Sequence, residues 1–183
     1  PNAYRRREEM LVFRLKFIEQ EALEEALARL RVKLRSSRPL PMDLLELRPR
    51  LVRLDQLREH EQHIPEHLEE LLQEILRDGV LKRPILVDER TMIIIDGHHR
   101  YNCMKRLGKR YIPAYLIDYM REEIVVEPWD GKPPVTKEDV IRAGLTGMRL
   151  PPKSSKHMVR IGGELHHVTY IERENPTPLD QIP

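Results

Sequence analysis

Ile93-Ile94-Ile95-Asp96-Gly97-His98-His99-Arg100 reads as a strand, a turn and the start of a helix. The apolar run from Met92 to Ile95 has no polar alternation, so it fits a strand buried on both faces. It stops abruptly at Asp96-Gly97. Glycine lets a backbone approach a neighbour or a ligand closely. A helix opening there presents unpaired N–H groups with a partial positive charge. His98, His99 and Arg100 add side-chain donors at the same place. Such a turn suits an anion, most commonly a phosphate. Asp96 would repel a bare phosphate, and the pairing makes sense with a magnesium ion between them. The plain alternative is an Asp-Gly turn in which Asp96 caps the helix. A transition metal on His98 and His99 is a third reading, but adjacent helical residues diverge and chelate poorly.

Working outward, Pro84 to Val87 is a second strand, and Asp88-Glu89-Arg90 turns it back as a hairpin. The helix runs from His99 to Leu107 and closes at Gly108; Ile112 to Ile117 is a further strand. Upstream, Leu51 to Leu54 is a strand and Arg58 to Ile64 a polar loop. Pro65 opens a helix with Leu68, Leu71, Leu72 and Ile75 on one face, and Gly79 stops it. Strand, helix, hairpin, helix, strand predicts a mixed α/β core, a small sheet flanked by helices.

The flanks are different. Residues 8 to 36 read as one long helix, with Leu11, Leu15, Ile18, Leu23, Leu27, Leu30 and Leu34 at helical spacing. That stripe needs a partner surface, either the body of the chain or a second copy in a homodimer. Pro39, Pro41 and Pro49 mark a linker. Past Asp118 the chain looks less regular: Thr136 caps a short helix through Ala143, with Asp139 at the capping-box position and Gly144 as stop. Met158 to Tyr170 suits a hairpin turning at Gly162-Gly163. The expected division is 1–49 as helical extension and linker, 50–174 as the functional domain and 175–183 as a loose tail.

Composition narrows the function classes. Of 183 residues, 32 are basic and 30 acidic, so the net charge of +2 gives no field that steers the whole molecule onto nucleic acid. Aromatics make up 5%, too few for a base-stacking platform. The single cysteine, Cys103, excludes an intrachain disulfide and cysteine-based zinc sites, and suits a reducing cytoplasm. No apolar run reaches the roughly 20 residues of a membrane span.

Two further clusters carry chemistry. Glu59-His60-Glu61-Gln62-His63 is either a solvated surface or a site; a carboxylate there that faces the Asp96 turn can take a proton from an attacking hydroxyl. Ser154-Ser155-Lys156-His157 combines hydroxyls, an ammonium and an imidazole, which suits a phosphate or carboxylate ligand as well as an exposed basic loop. Trp129, the single tryptophan, is a core residue or a lid.

Taken together these stretches resemble the ParB/sulfiredoxin superfamily. The likeness rests on Pro84 to Val87, on Asp96-Gly97-His98-His99-Arg100-Tyr101 and on Leu107-Gly108. Within it, the Asp-Gly-His-His-Arg form is similar to the archaeal-type free-serine kinases, as is Pro151-Pro152-Lys153-Ser154-Ser155-Lys156-His157. The resemblance implies phosphoryl transfer from ADP or ATP to free L-serine, giving O-phosphoserine, with Mg2+. It implies Glu61 as general base, in preference to Glu59, with Asp96 and His99 also in the catalytic set and Asp96 at the metal. Gly97, His98, His99 and Arg100 would hold the nucleotide, and Trp129, Ser155, Lys156 and His157 the substrate. Sulfiredoxins need a cysteine where His98 stands, so their chemistry is not available. Chromosome-segregation ParB proteins carry Gly-Glu-Arg-Arg at this turn and a DNA-binding helix pair after it. Neither is evident here, so nucleic acid is not the expected partner. The rival class is a nucleotide-gated ParB-like protein that acts on DNA or a protein partner.

Overall fold

The computed structural model describes residues 19–29 and 43–183 and separates the chain into two units, Pro1–Met42 and Asp43–Pro183. In the first unit, residues 19–29 are helical, with Leu23 and Leu27 buried one turn apart and an Arg29–Glu25 ion pair on the exposed side. The rest of the helix expected over 8–36, and any homodimer contact through it, lies outside the described residues.

In the second unit the central sheet has four strands, β1 (Arg50–Arg53), β3 (Ile85–Asp88), β4 (Ile94–Asp96) and β5 (Tyr111–Ile117), in the order β1-β5-β3-β4. β3 and β5 are parallel; the other two pairings are antiparallel. Two helices pack on it and on each other, α1 (Pro65–Asp78) and α2 (His98–Arg106). Proline at the first position starts α1, and left-handed Gly79 ends it, its N–H donating to the Ile75 carbonyl. Leu68, Leu72 and Ile75 of α1 pack with Tyr101, Cys103 and Met104 of α2 over Ile85, Val87, Ile94 and Ile112. The strand, helix, hairpin, helix, strand order is therefore the observed one. Burial pushes the Cys103 thiol up to about 11, so it acts as a small core residue, with Sγ against the Leu68 carbonyl.

A short pair, β2 (Val80–Leu81) with β9 (Thr177–Pro178), joins the end of α1 to the C-terminal segment. A second antiparallel sheet, β6 (Ile124–Glu127), β7 (Lys156–Ile161) and β8 (Glu164–His167), follows, with α3 (Lys137–Thr146) between β6 and β7.

Four expectations need correction. The compact unit begins at Asp43, because Leu44 and Leu47 are buried in what read as linker. Residues 175–183 are not a loose tail: Ile182 is 1% exposed, and the Pro183 carbonyl accepts from the Arg110 and Tyr111 amides. α3 does have the Thr136–Asp139 capping box, but it runs through Gly144 and stops at left-handed Gly147. Gly144 is a contact point, where a Cβ would come within 2.6 Å of Ile93 Cδ1. Finally, β6 lies in a stretch read as irregular.

Candidate active site

β4 delivers Asp96 to the edge of the sheet, and Gly97, at φ 109°, turns the chain into α2. A Cβ on Gly97 would sit 2.4 Å from Ile85 Cγ2, so the glycine is needed for strand–helix packing as well as for the turn. No side chain caps α2, which leaves its first N–H groups without the partner a capping residue would provide. Asp96 is therefore not a helix cap; its Oδ2 accepts from Arg100 Nη2 at 3.2 Å.

The Arg100 guanidinium is directed at the protein. Nη1 donates to the carbonyls of Pro84 (2.6 Å) and Arg83 (3.2 Å), and Nη2 to Asp96 and to Glu172 Oε1 at 3.1 Å. Glu172 is 0% exposed and has no local sequence signal; it is brought in by the short helical turn Val168–Tyr170 that follows β8. Burial first, then the Asp96 charge, push its carboxyl well above the usual range. Burial also works to raise Asp96, but its interaction with Glu172 and the Arg100 charge outweigh it and hold Asp96 low. The two carboxyls thus share the guanidinium, Glu172 pushed up and Asp96 held down.

The Arg58–Ile93 bridge lays the loop from Arg58 to Ile64 along β4, with the Arg58 amide on the Met92 carbonyl and the Ile94 amide on the Arg58 carbonyl. Both histidines of the turn hold that loop: His98 Nε2 accepts from the His60 amide at 3.2 Å and His99 Nε2 from the Ile64 amide at 3.0 Å. Burial lowers both rings, so they are neutral near pH 7 with the proton on Nδ1. His60, inside a cluster read as polar loop, is 1% exposed and lies edge-on to both His98 and His157.

A second bridge, Glu61 to Leu150, joins the same loop to the segment 150–157. The Glu61 carboxylate is the centre of that junction. Oε1 accepts from the amides of Ser154 (3.0 Å) and Ser155 (2.9 Å) and from Ser155 Oγ (2.9 Å), and Oε2 from the Lys153 amide (3.2 Å). Burial outweighs these donors and raises the Glu61 carboxyl. Ser155 Oγ also lies 2.9 Å from His60 Nε2, while His60 Nδ1 faces the Ile94 carbonyl at 2.6 Å. Glu59 is engaged elsewhere, with Asn102 (2.6 Å) and Arg149 (3.4 Å).

The remaining expected residues line the same junction. Trp129 Nε1 donates to the Ser155 carbonyl at 3.3 Å, and Lys153 and Lys156 place their ammonium groups over its ring. His157 is buried and paired with the equally buried Tyr119 hydroxyl at 2.8 Å; burial lowers its ring. The structure thus brings together Glu61, the Asp96 turn and the 153–157 segment. His60, Tyr119 and Glu172 are the members that the sequence did not single out. His60 stands inside a quoted motif, so only its burial was hidden.

Among the described residues no group of three or more His, Cys, Asp or Glu is placed to hold a metal alone. Asp96, with its side chain 32% exposed, nevertheless fits a magnesium ion, which takes one or two carboxylates and completes its shell with phosphates and water. Among the described residues no helix is long and apolar enough to cross a membrane.

Comparison with known proteins matches residues 40–127 to the ParB N-terminal domain. An ATP-dependent L-serine kinase of Staphylothermus marinus is 35% identical over 44% of this chain and 34% of its own. A ParB-like protein of Sulfolobus acidocaldarius is 45% identical over 41% and 37%. The chain therefore spans little more than a third of the length of these relatives. A solved free serine kinase variant in complex with ADP shares the fold, with a TM-score of 0.55 at 15% identity over 67% of this chain and 93% of that one. The central region is thus similar to the ParB N-terminal domain, to L-serine kinases and to a ParB-like protein.

Proposed function

We propose that this protein is a small-molecule kinase that transfers a phosphoryl group from ADP or ATP to the hydroxyl of free L-serine, giving O-phospho-L-serine. The observation that carries the reading is the Glu61 carboxylate, half-buried, fixed by four donors and joined by one loop to the Asp96 turn. The similarity of the central region to L-serine kinases supports the same reading.

Phosphoryl transfer asks mainly for alignment and charge neutralisation. The uncapped start of α2 meets the nucleotide phosphates with backbone N–H groups. His98 and His99 are neutral and their Nε2 atoms are occupied, so each ring offers only its Nδ1–H. Arg100 keeps Asp96 charged and in place and is not itself free for a phosphate. A magnesium ion held by Asp96 would offset phosphate charge. Glu61 takes the acceptor's proton, and its raised carboxyl makes it the stronger base. Trp129, Lys156 and the Ser155 segment border the acceptor side.

The test is phosphorus NMR of the protein with magnesium, L-serine and either ADP or ATP. An O-phosphoserine resonance establishes the reaction and its donor. Nucleotide binding by calorimetry without product turns the assignment to the rival class, a nucleotide-gated ParB-like binding protein.

A further inference from the structure

The Ser155 hydroxyl has one proton and two acceptors. Its Oγ lies 2.9 Å from Glu61 Oε1 and 2.9 Å from His60 Nε2. His60 cannot resolve this by donating. Its Nδ1 faces the Ile94 carbonyl at 2.6 Å, a contact that requires the proton on Nδ1 and leaves Nε2 as a bare acceptor. Charging the ring would satisfy both, but burial lowers it to about 4. At neutral pH Ser155 therefore serves one neighbour at a time.

We propose that Ser155 is a two-position hydroxyl switch, donating to Glu61 while that carboxylate is charged and to His60 Nε2 once Glu61 is protonated. A carboxylate is the stronger acceptor and wins the proton in the charged state. When Glu61 gains a proton, Oε1 becomes an ordinary carbonyl oxygen and the imidazole lone pair wins. His60 then stabilises protonated Glu61 without taking a proton. It is a positioning residue acting through Ser155.

The role in turnover rests on the kinase reading; the switch does not. In turnover the serine oxygen bonds to phosphorus as the bond from phosphorus to the nucleotide's bridging oxygen breaks. The electron pair leaves with that oxygen. The serine proton goes to Glu61 Oε2, which holds one hydrogen bond where Oε1 holds three. Ser155 turns to His60 in the same step, so the hydrogen bond lost at Glu61 is regained beside it. The charged and titratable groups facing His60 are Asp96 at the end of β4, His98 of α2 and His157 of β7. Glu61 faces the amides of Lys153, Ser154 and Ser155 and the Ser155 hydroxyl.

The test reads Glu61 directly, by carbon NMR of protein labelled at glutamate carboxyls, with Glu61→Gln assigning the signal. His60→Asn keeps a donor for Ile94 and removes the acceptor for Ser155, so it strips support from protonated Glu61 alone. Its midpoint falls by about half to one pH unit. Ser155→Ala removes a charge-assisted bond from ionised Glu61 and a weaker one from the protonated state, so the midpoint rises by about the same amount. Opposite shifts are the signature of the switch; shifts of equal sign, or none, overturn it. Should His60→Asn fail to fold, nitrogen NMR of the wild-type imidazoles decides. The His60 Nε2 signal moves to the value of a hydrogen-bonded acceptor as Glu61 is protonated, and stays there at every pH in Glu61→Gln. A signal indifferent to Glu61 overturns the switch. None of these readouts needs turnover, so failure of the kinase assignment shows separately, as missing O-phosphoserine.

Discussion

Arg100 and Glu172, 72 positions apart in sequence, meet at 3.1 Å in the interior, and Glu172 reaches Asp96 as well. Glu172 Oε1 accepts from the guanidinium while the buried Oε2 has no hydrogen-bond partner among the described residues, and burial disfavours the charge, so an amide can replace this acid. Glu172→Gln should therefore leave stability within about 1 kcal/mol of wild type, whereas Glu172→Ala, which strands a buried Arg100 N–H, should cost about 1–3 kcal/mol. Urea unfolding separates them; equal losses would show that the Arg100–Glu172 hydrogen bond does not matter.

Acid should loosen this fold well before its carboxylates are neutralised. His60, His98, His99 and His157 are all held neutral by burial, His60 down to about 4. In the unfolded chain such rings charge near pH 6.5. Between those values the unfolded state binds more protons, so the contribution is complete above pH 6.5 and is lost as pH falls toward 4. His60 alone accounts for about 3 kcal/mol. The raised carboxyls of Glu61 and Glu172 act in the opposite direction and reduce the slope. Urea midpoints at pH 7 and pH 4.5 check the sign: a midpoint that holds or rises at pH 4.5 contradicts it.

Glu61→Gln should lower kcat for O-phosphoserine formation by about 10²–10⁴-fold, the usual contribution of a general base. The glutamine still accepts the amides of the 153–155 segment, so nucleotide affinity should stay near wild type. Isothermal titration beside the rate measurement distinguishes loss of a base from loss of the site.

Gly97→Ala and Gly79→Ala differ in one respect that stability can read. Both glycines have positive φ, but nothing lies within 4 Å of a Cβ at Gly79, whereas one at Gly97 meets Ile85 Cγ2 at 2.4 Å. The Gly97 variant should be less stable by about 1–3 kcal/mol more, the cost of overpacking a core. Thermal unfolding that ranks the two equally would show that Ile85 yields freely.

Much of the central sheet is legible because its signals are local. Met92 to Ile95 is one apolar run, Pro65 and Gly79 bracket α1, and Thr136 with Asp139 announces α3. The strand-to-helix turn at Asp96-Gly97 is readable for the same reason, whereas the choice of Glu61 over Glu59 as candidate base rests on the family resemblance. What was not readable depends on distance. Nothing around Glu172 says that it is buried against Arg100, and His60 stands in a stretch as polar as any surface loop. Gly144 reads as a stop until Ile93 is found against it, and Ile182 reads as tail until the core takes it up.

The donors that hold Glu61 come from residues 153–155, more than 90 positions downstream. On a ribosome the Asp96 turn therefore emerges well before the segment that fixes the base, and Glu172 arrives later still. A nascent chain ending before Lys153 carries a Glu61 carboxylate without its donors and an arginine without its acid. Chemistry at this site is assembled last, however early the turn itself takes shape.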